Sequence, residues 1–140
     1  MAEQSYSIEF DGYYREPNKD GLPGKSGIYS VYRGIHNVEE KNVSLKELIY
    51  IGESVDINAR VADHDRLEDW TARLREGEVL CYSYALVPTD HRVRVEAALI
   101  HKHKPPLNTE YVDAFPFDKT TISIQGKTRY LTESFSVLRR

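Results

Sequence analysis

Apolar and polar residues along this chain form short segments separated by turn-forming residues. Residues 27–32 and 48–52 are apolar, rich in tyrosine and β-branched side chains, and each run carries a glycine at one end. This composition predicts two β-strands. Residues 5–10 alternate between polar and apolar, and residues 79–87 form another apolar run. Both patterns predict further strands.

Helical periodicity predicts three helices, at about residues 57–66, 68–75 and 91–103. Ser54 or Asp56 precedes the first helix, and the oxygen of a short side chain there can accept from unpaired backbone N–H groups. Pro105 and Pro106 end the last helix, because proline neither donates a backbone hydrogen bond nor tolerates the preceding helical turn. The order of elements predicts an α+β fold with an antiparallel sheet.

The remaining segments are predicted as connections and a β tail. Residues 16–26 are dense in proline, glycine, asparagine and aspartate, which predicts a loop. Residues 34–47 are polar and predict a long surface connection between the two tyrosine strands. Residues 121–131 predict a C-terminal hairpin that turns near Gly126. A length of 140 residues predicts a single domain, residues 1–140.

Composition limits the classes of protein to consider. The chain is 40% apolar and 29% charged, which is typical of a globular domain. No apolar run is long enough to span a membrane, and the N-terminus lacks the profile of a signal peptide. The lone Cys81 cannot form an internal disulfide, so we expect a cytoplasmic protein without a membrane partner. The net charge of −3 argues against tight non-specific binding to nucleic acid.

Three polar residues fall on helix faces where apolar residues are expected. Glu96 lies within the apolar arc of the helix at 91–103, where a carboxylate is costly unless it is paired, hydrogen-bonded or bound to a metal. Arg60 and His64 lie four residues apart on the inward face of the first helix. Glu96 could therefore satisfy a buried arginine or tyrosine, ligate a metal, or act as an acid or base. Both helices direct these groups at the sheet that carries Tyr29 and Tyr50.

This set of side chains matches the needs of phosphodiester hydrolysis, which requires charge stabilisation, a metal or acid, and a base for water. Arg60 offers a planar, permanently charged phosphate ligand. Glu96 could hold one Mg²⁺, which takes one or two protein carboxylates and keeps several waters. Tyr29 could be the base, but a tyrosine pKa near 10 is roughly 3 units too high at neutral pH. Tyr29 and His64 are thus joint candidates for activating water.

Gly27-Ile28-Tyr29 and Tyr50-Ile51-Gly52, followed by Arg60, His64, Glu96 and Asn108, resemble the GIY-YIG endonuclease family. The pairing of Arg60 with His64, and of Glu96 with Asn108, is most similar to its restriction-endonuclease-like branch. The resemblance covers residues 27–110 as a nuclease core. Residues 1–26 and 111–140 are then N- and C-terminal extensions packed on that core.

The resemblance implies a small α/β sandwich with a central three-stranded antiparallel sheet flanked by helices, to which the C-terminal hairpin is added. It implies cleavage of DNA, expected to be double-stranded, with one divalent ion, Mg²⁺ or Mn²⁺. By resemblance, Tyr29 and Tyr50 position or activate water and contact the phosphate, and Arg60 stabilises that phosphate. Glu96 ligates the metal. Asn108 orders the site and His64 assists Tyr29.

Two features depart from the family pattern. The connection at 34–47 is longer than is common, which points to an added element that contacts DNA or a second subunit. Many members of the family carry a separate DNA-binding domain, and we expect none in these 140 residues. Restriction-type members often act as dimers, so a homodimer stays open. The alternative function is a non-catalytic module on this fold that binds nucleic acid or another protein.

Overall fold

The structure is a computed structural model that describes residues 2–140. Six strands form one sheet: β1 (Gln4–Arg15), β2 (Gly27–Asn37), β3 (Asn42–Ser54), β4 (Val79–Leu86), β5 (Thr120–Gly126) and β6 (Ser134–Val137). They lie in the order β3-β2-β4-β1-β5-β6 in a mixed sheet that curls into a half-barrel. Strands β1 and β5 are parallel, and the other neighbouring pairs are antiparallel.

Helices contribute little to this fold. A 3₁₀ helix at Glu16–Gly21 and the helices α1 (Ile57–Ala62) and α2 (Leu67–Ala72) are short, and α3 (Arg92–His103) is the longest. Asp56 is the cap of α1, because its side chain accepts a hydrogen bond from the Ala59 N–H at 3.0 Å. The predicted extension of α1 to residue 66 is wrong, since the backbone leaves the helical region at Asp63.

The predicted sandwich around a three-stranded antiparallel sheet is wrong. Strand β1 pairs with β4 on one side and with β5 on the other, so the N- and C-terminal segments enlarge the sheet to six strands. Strand β1 continues beyond the alternating residues 5–10 to Arg15, so that residues 4–10 pair with β5 and residues 10–15 pair with β4. Helices α1 and α2, of one and a half turns each, are too short to form a flanking layer.

The predicted surface loop at 34–47 is also wrong, because β2 and β3 continue as a paired hairpin through most of it. The ladder joins Gly34 to Leu45 and His36 to Val43, and residues 38–41 alone form the turn. Polar residues are tolerated here because one face of an antiparallel ladder can face water. The segment is therefore a two-stranded projection of the sheet.

The C-terminal hairpin has a different second strand from the one predicted. Gly126 has φ of +85°, and the following Lys127 N–H donates to the Phe10 carbonyl instead of continuing a ladder. A Cβ on Gly126 would lie 2.2 Å from the Phe10 oxygen, so glycine is required at this close approach. The chain then loops through residues 127–133 before β6 pairs with β5.

The two faces of the sheet bury two separate cores. The larger core places Ile28, Tyr32 and Ile51 against the apolar side of α3. The smaller core, on the opposite face, places Tyr29 and Val31 against α1 and Trp70. Fully burying a large apolar side chain contributes roughly 1.5–3 kcal/mol, so each face has its own source of stability.

No helix within residues 2–140 combines the length and the apolar character that crossing a membrane requires.

Candidate active site

The glycines of the two tripeptides are required by close packing. Gly52 lies opposite Tyr29 in the β2–β3 ladder, and a Cβ there would come within 2.2 Å of the Tyr29 Cζ. At Gly27, a Cβ would lie 2.2 Å from the Ala85 carbonyl oxygen of β4. Both distances are far below van der Waals contact. Gly52 thus makes room for the tyrosine ring, and Gly27 lets two strands approach.

Tyr29 and Tyr50 lie on the same face because Tyr29 pairs with Gly52, two residues from Tyr50, and alternate residues of a strand share a face. Val31 pairs with Tyr50 and Tyr32 pairs with Leu48, so Ile49 is the extra residue. The two tyrosine rings lie 6.4 Å apart at an interplanar angle of 27°. Tyr50 also contacts Trp70, with ring centroids 5.4 Å apart. The regular alternation of β2 and β3 therefore places a stacked tyrosine pair over the smaller core, and the bulge at Ile49 adjoins it.

His64 lies beyond the end of α1 but is buried beside both tyrosines, with ring centroids 5.6 Å from each. Its Nδ1 accepts from the Arg66 backbone N–H at 3.0 Å, and its Nε2 lies 2.6 Å from the Tyr29 hydroxyl oxygen. Burial, followed by the charge of Arg60, lowers the pKa of His64 to about 4, so the ring is neutral near pH 7.

The backbone bond assigns the tautomer of this neutral ring. Since Nδ1 accepts, the proton of His64 resides on Nε2, which donates to the Tyr29 oxygen. The hydroxyl proton of Tyr29 is then free to point away from His64. In this arrangement His64 is a donor to Tyr29, and it holds no acceptor position for the Tyr29 proton.

The surroundings keep Tyr29 protonated. Burial raises the pKa of Tyr29, as do the neighbouring Tyr50 and Glu96, whereas the charge of Arg60 lowers it; the net shift is upward. The structure thus moves this pKa away from the value that a base at neutral pH needs. The prediction that Tyr29 or His64 activates water stays a prediction, and the resting geometry presents Tyr29 as a hydrogen-bond donor.

Glu96 projects from α3 into a cleft of about 310 Å³ that Tyr29 and Tyr50 also line. Burial raises its pKa to about 8, and the carboxylates of Glu53 and Glu110 add to the effect. Within residues 2–140, Glu96 forms no ion pair. Among the described residues, Glu96 therefore does not neutralise a buried arginine, which was one of the roles left open for it.

Arg60 lies at the rim of the same cleft, with 39% of its side chain exposed. One guanidinium nitrogen, Nη2, bonds to the Asp65 carboxylate at 2.7 Å. Asp65 is 71% exposed, so this ion pair is screened by water and can exchange for another anion. Arg60 is close enough to Tyr29 to affect its pKa. A planar cation is thus available beside the tyrosine hydroxyl.

Asn108 holds the edge strand in place. Its Oδ1 accepts from the Ile51 N–H at 2.9 Å, and its Nδ2 donates to the Ile51 carbonyl at 2.8 Å. The neighbouring Leu107 N–H bonds to the Ile49 carbonyl, and Arg66 donates to the Leu107 carbonyl at 2.8 Å. The Asn108 amide therefore satisfies the free edge of β3 as another strand would, and positions the Tyr50-Ile51-Gly52 segment.

All six predicted site residues meet at this end of β2 and β3. Tyr29, Tyr50, Arg60, Glu96 and Asn108 line the cleft, and His64 lies behind the tyrosines. The helices that supply them pack on opposite faces of the sheet, α1 on the smaller core and α3 on the larger. The cleft therefore wraps around the sheet edge rather than standing on one face of it.

The cleft also contains charged residues that the sequence pattern did not single out: Glu53, Asp65, Arg66 and Glu110. Glu53 directly follows Gly52 and pairs with Arg92 of α3. The Arg66 guanidinium carbon lies 5.4 Å from the centre of the Tyr50 ring, a cation–π contact. Helical periodicity could not reveal Asp65 and Arg66, because α1 has already ended before them.

The cleft offers few protein ligands for a metal ion. Within the described chain, no group of three or more histidine, cysteine, aspartate or glutamate side chains is arranged to hold a metal ion. The cleft instead offers one unpaired, half-buried carboxylate, Glu96, with Glu53 and Glu110 adding negative charge. That environment suits Mg²⁺ or Mn²⁺ held through one protein carboxylate and several waters.

Comparisons with protein-family models, curated proteins and solved structures gave no match to this chain. The link to the GIY-YIG family therefore depends on the tripeptides and the residues that accompany them.

Proposed function

We propose that the chain is a GIY-YIG-type endonuclease that hydrolyses DNA phosphodiester bonds in this cleft. The observation that supports it is the convergence of all six motif residues, spread over positions 29–108, at one end of β2 and β3. The chain's six-stranded half-barrel differs from the sandwich implied by the resemblance. The proposal therefore relies on the site and not on the fold.

Arg60 is the phosphate ligand in this proposal. An incoming phosphate replaces the exposed Asp65 as the anion at the guanidinium, whose planar shape suits two parallel hydrogen bonds. Tyr29 donates its free hydroxyl proton to the same phosphate, because His64 occupies its acceptor side. Tyr50 and Asn108 position these groups through ring stacking and through the Ile51 backbone.

Glu96 is the residue that would hold one Mg²⁺ or Mn²⁺. When bound, such an ion stabilises charge on the phosphate and makes a coordinated water more acidic. The raised pKa of Glu96 means that this carboxyl is largely protonated near pH 7 until a cation favours its ionised form. Glu53 and Glu110 keep the cleft attractive to cations.

Duplex DNA is the proposed partner, the cytoplasm the proposed compartment, and a homodimer an arrangement that would place two clefts on one duplex. One observation favours the second function, a non-catalytic nucleic-acid-binding module. The pKa of Tyr29 is raised, so neither Tyr29 nor the neutral donor His64 is a ready base. A module of this kind would bind DNA without cutting it.

The test is incubation of supercoiled plasmid, linear duplex and branched DNA with the purified chain and Mg²⁺ or Mn²⁺. We expect nicked or linear product from wild type, and at least about a 100-fold loss of rate in Glu96→Gln and Arg60→Ala. Glu39→Gln, in the exposed hairpin turn, is the matched control and should cut normally. Wild type that leaves every substrate intact with each metal contradicts the proposal, and binding without cleavage favours the module.

A further inference from the structure

A large open concavity lies far from the cleft, at the opposite end of the β2–β3 hairpin. It has a volume of about 710 Å³ and is bounded by the ends of β1, β2 and β3 and by Lys127. A second cavity of about 480 Å³ shares Tyr13 and Val43 with it. The two form one continuous concave surface that the candidate cleft does not use.

The charge of this surface is entirely positive. We call it the basic groove, defined by Arg15, Lys41, Lys46, Lys127 and Arg129. No aspartate or glutamate lines either cavity. None of the five cations forms an ion pair with a carboxylate within residues 2–140. Such a concentration of unpaired cations is unexpected in a chain of net charge −3.

The groove continues toward the cleft along the free edge of β3. A third concavity shares Lys46 and Tyr130 with the groove and extends to Lys104 and Pro105. It includes one carboxylate, Glu47, whose charge is paired with two arginines. The chain after Pro105 leads to Asn108, which lines the cleft and is bonded to Ile51. From residue 43 to residue 50, β3 spans about 23 Å at roughly 3.3 Å per residue. That span corresponds to about seven steps of 3.4 Å along a DNA strand.

Part of the groove is held rigidly. The Arg129 guanidinium carbon lies 5.0 Å from the centre of the Tyr130 ring, and the Tyr130 hydroxyl donates to the Leu45 carbonyl at 3.0 Å. The Arg129 backbone N–H donates to the Tyr13 hydroxyl oxygen at 3.2 Å. Arg129 is thus oriented without using its charge on a protein carboxylate, which leaves that charge for a ligand.

We infer that the basic groove binds the phosphate backbone of duplex DNA on one side of the scissile phosphate in the cleft. This inference rests on the proposed nuclease function for the identity of its ligand. A DNA backbone presents regularly spaced phosphates over the full length of such a track, and neutralising them releases counterions.

The test measures binding of a fluorescent duplex over a series of salt concentrations, in metal-free buffer so that cleavage does not occur. The groove variant carries Lys41→Ser, Lys127→Ser and Arg129→Ser, and its control carries Arg75→Ser, Lys102→Ser and Lys119→Ser. All six cations are exposed and the two variants have equal net charge. We expect the slope of log K against log salt to shrink by about 2 to 3 in the groove variant, since each lost phosphate contact removes about 0.9.

The control variant should keep a slope within about one contact of wild type. Equal affinities and slopes for the two triple variants overturn the inference, as does a wild type that fails to bind duplex DNA. If the groove triple variant does not fold, Lys127→Glu alone is used, and it must reduce the slope by at least about 1. Binding through the groove without cleavage supports the inference while contradicting the nuclease proposal. Cleavage by a protein whose DNA binding does not depend on the groove supports the nuclease proposal and contradicts the inference.

Discussion

The two ends of the β2–β3 hairpin carry opposite chemistry. At the end that includes Tyr29 and Gly52, four carboxylates and two arginines line a small cleft, and burial keeps the Glu96 carboxyl largely protonated. At the other end, the basic groove presents five exposed or half-exposed cations without acidic partners. A net charge of −3 therefore hides an uneven distribution of charge, because carboxylates outnumber cations in the cleft and cations alone line the groove.

The two regions are also built differently. The cleft depends on fixed packing, in which Gly52 admits the Tyr29 ring and Asn108 bonds to the edge of β3. The groove depends on long, solvated side chains at a hairpin end and on the loop after Gly126. Substitutions in the cleft should consequently change stability and chemistry together, whereas substitutions in the groove should change electrostatic binding and leave the fold intact.

The largest expected effect on stability is at Gly52. A methyl group there would lie 2.2 Å from the Tyr29 Cζ and 2.3 Å from its hydroxyl oxygen, so the ring or the strand must move. We expect Gly52→Ala to lower the free energy of unfolding by about 3 kcal/mol. Denaturant unfolding measures it, with Gly24→Ala as the control, because its Cβ would meet only Asp56 at 3.4 Å. If Gly52→Ala is as stable as wild type, the close packing of the Tyr29 ring against position 52 is contradicted.

Glu96 should make stability depend on pH in the cleft. Its pKa is raised to about 8 from an unfolded value near 4.3, so the folded chain holds an extra proton between these values. The free energy of unfolding of wild type should therefore fall as pH rises through this window, whereas Glu96→Gln lacks this loss. We expect the difference between the two proteins to grow by about 2 kcal/mol from pH 6 to pH 8.

Denaturant unfolding of both proteins at a series of pH values measures this difference. Comparing the two cancels groups such as Glu47, whose pKa is lowered to about 2 chiefly by its bond to Arg73 and which loses stabilisation in acid. If the difference in free energy of unfolding between wild type and Glu96→Gln stays constant from pH 6 to pH 8, Glu96 is solvated and its pKa is not raised.

A smaller effect is expected from Tyr29→Phe. The substitution leaves the Nε2–H of the buried His64 without its acceptor, which costs about 1–3 kcal/mol. Tyr130→Phe in the groove is the matched comparison, because it removes a hydroxyl that donates to the Leu45 carbonyl from a half-exposed ring. We expect its cost to be below about 1 kcal/mol. Equal costs measured by thermal unfolding would remove the distinction between a buried cleft and a solvated groove.

Local patterns selected residues that the structure places together, but they did not predict the sheet; the roles given to those residues stay predictions. Neighbouring residues or a single helical period are enough to identify the two tripeptides, the helix cap at Ser54 or Asp56, and the inward Glu96. The structure brings the six chosen site residues together. The parallel pairing of β1 with β5 joins residues more than a hundred positions apart. Periodicity carries no information on such a pairing, so the three-stranded sheet was the wrong expectation.

The basic groove could not be predicted from the sequence, because it too depends on contacts between distant segments. Arg15, Lys41 and Lys127 belong to separate segments, and none of them stands out from its neighbours in the sequence. They converge because β2 and β3 continue beyond residue 34 and because Gly126 turns the chain toward Phe10. Because the polar residues 34–47 were predicted to form a loop, the surface that their paired strands create was not predicted.

The central claim is that the cleft takes up a divalent cation at Glu96. Calorimetric titration of Mn²⁺ into wild type, Glu96→Gln and Glu39→Gln tests it without relying on activity. We expect one binding event in wild type and Glu39→Gln, and an affinity at least about tenfold weaker in Glu96→Gln. Equal Mn²⁺ affinity in wild type and Glu96→Gln, or no binding to wild type, would contradict the claim.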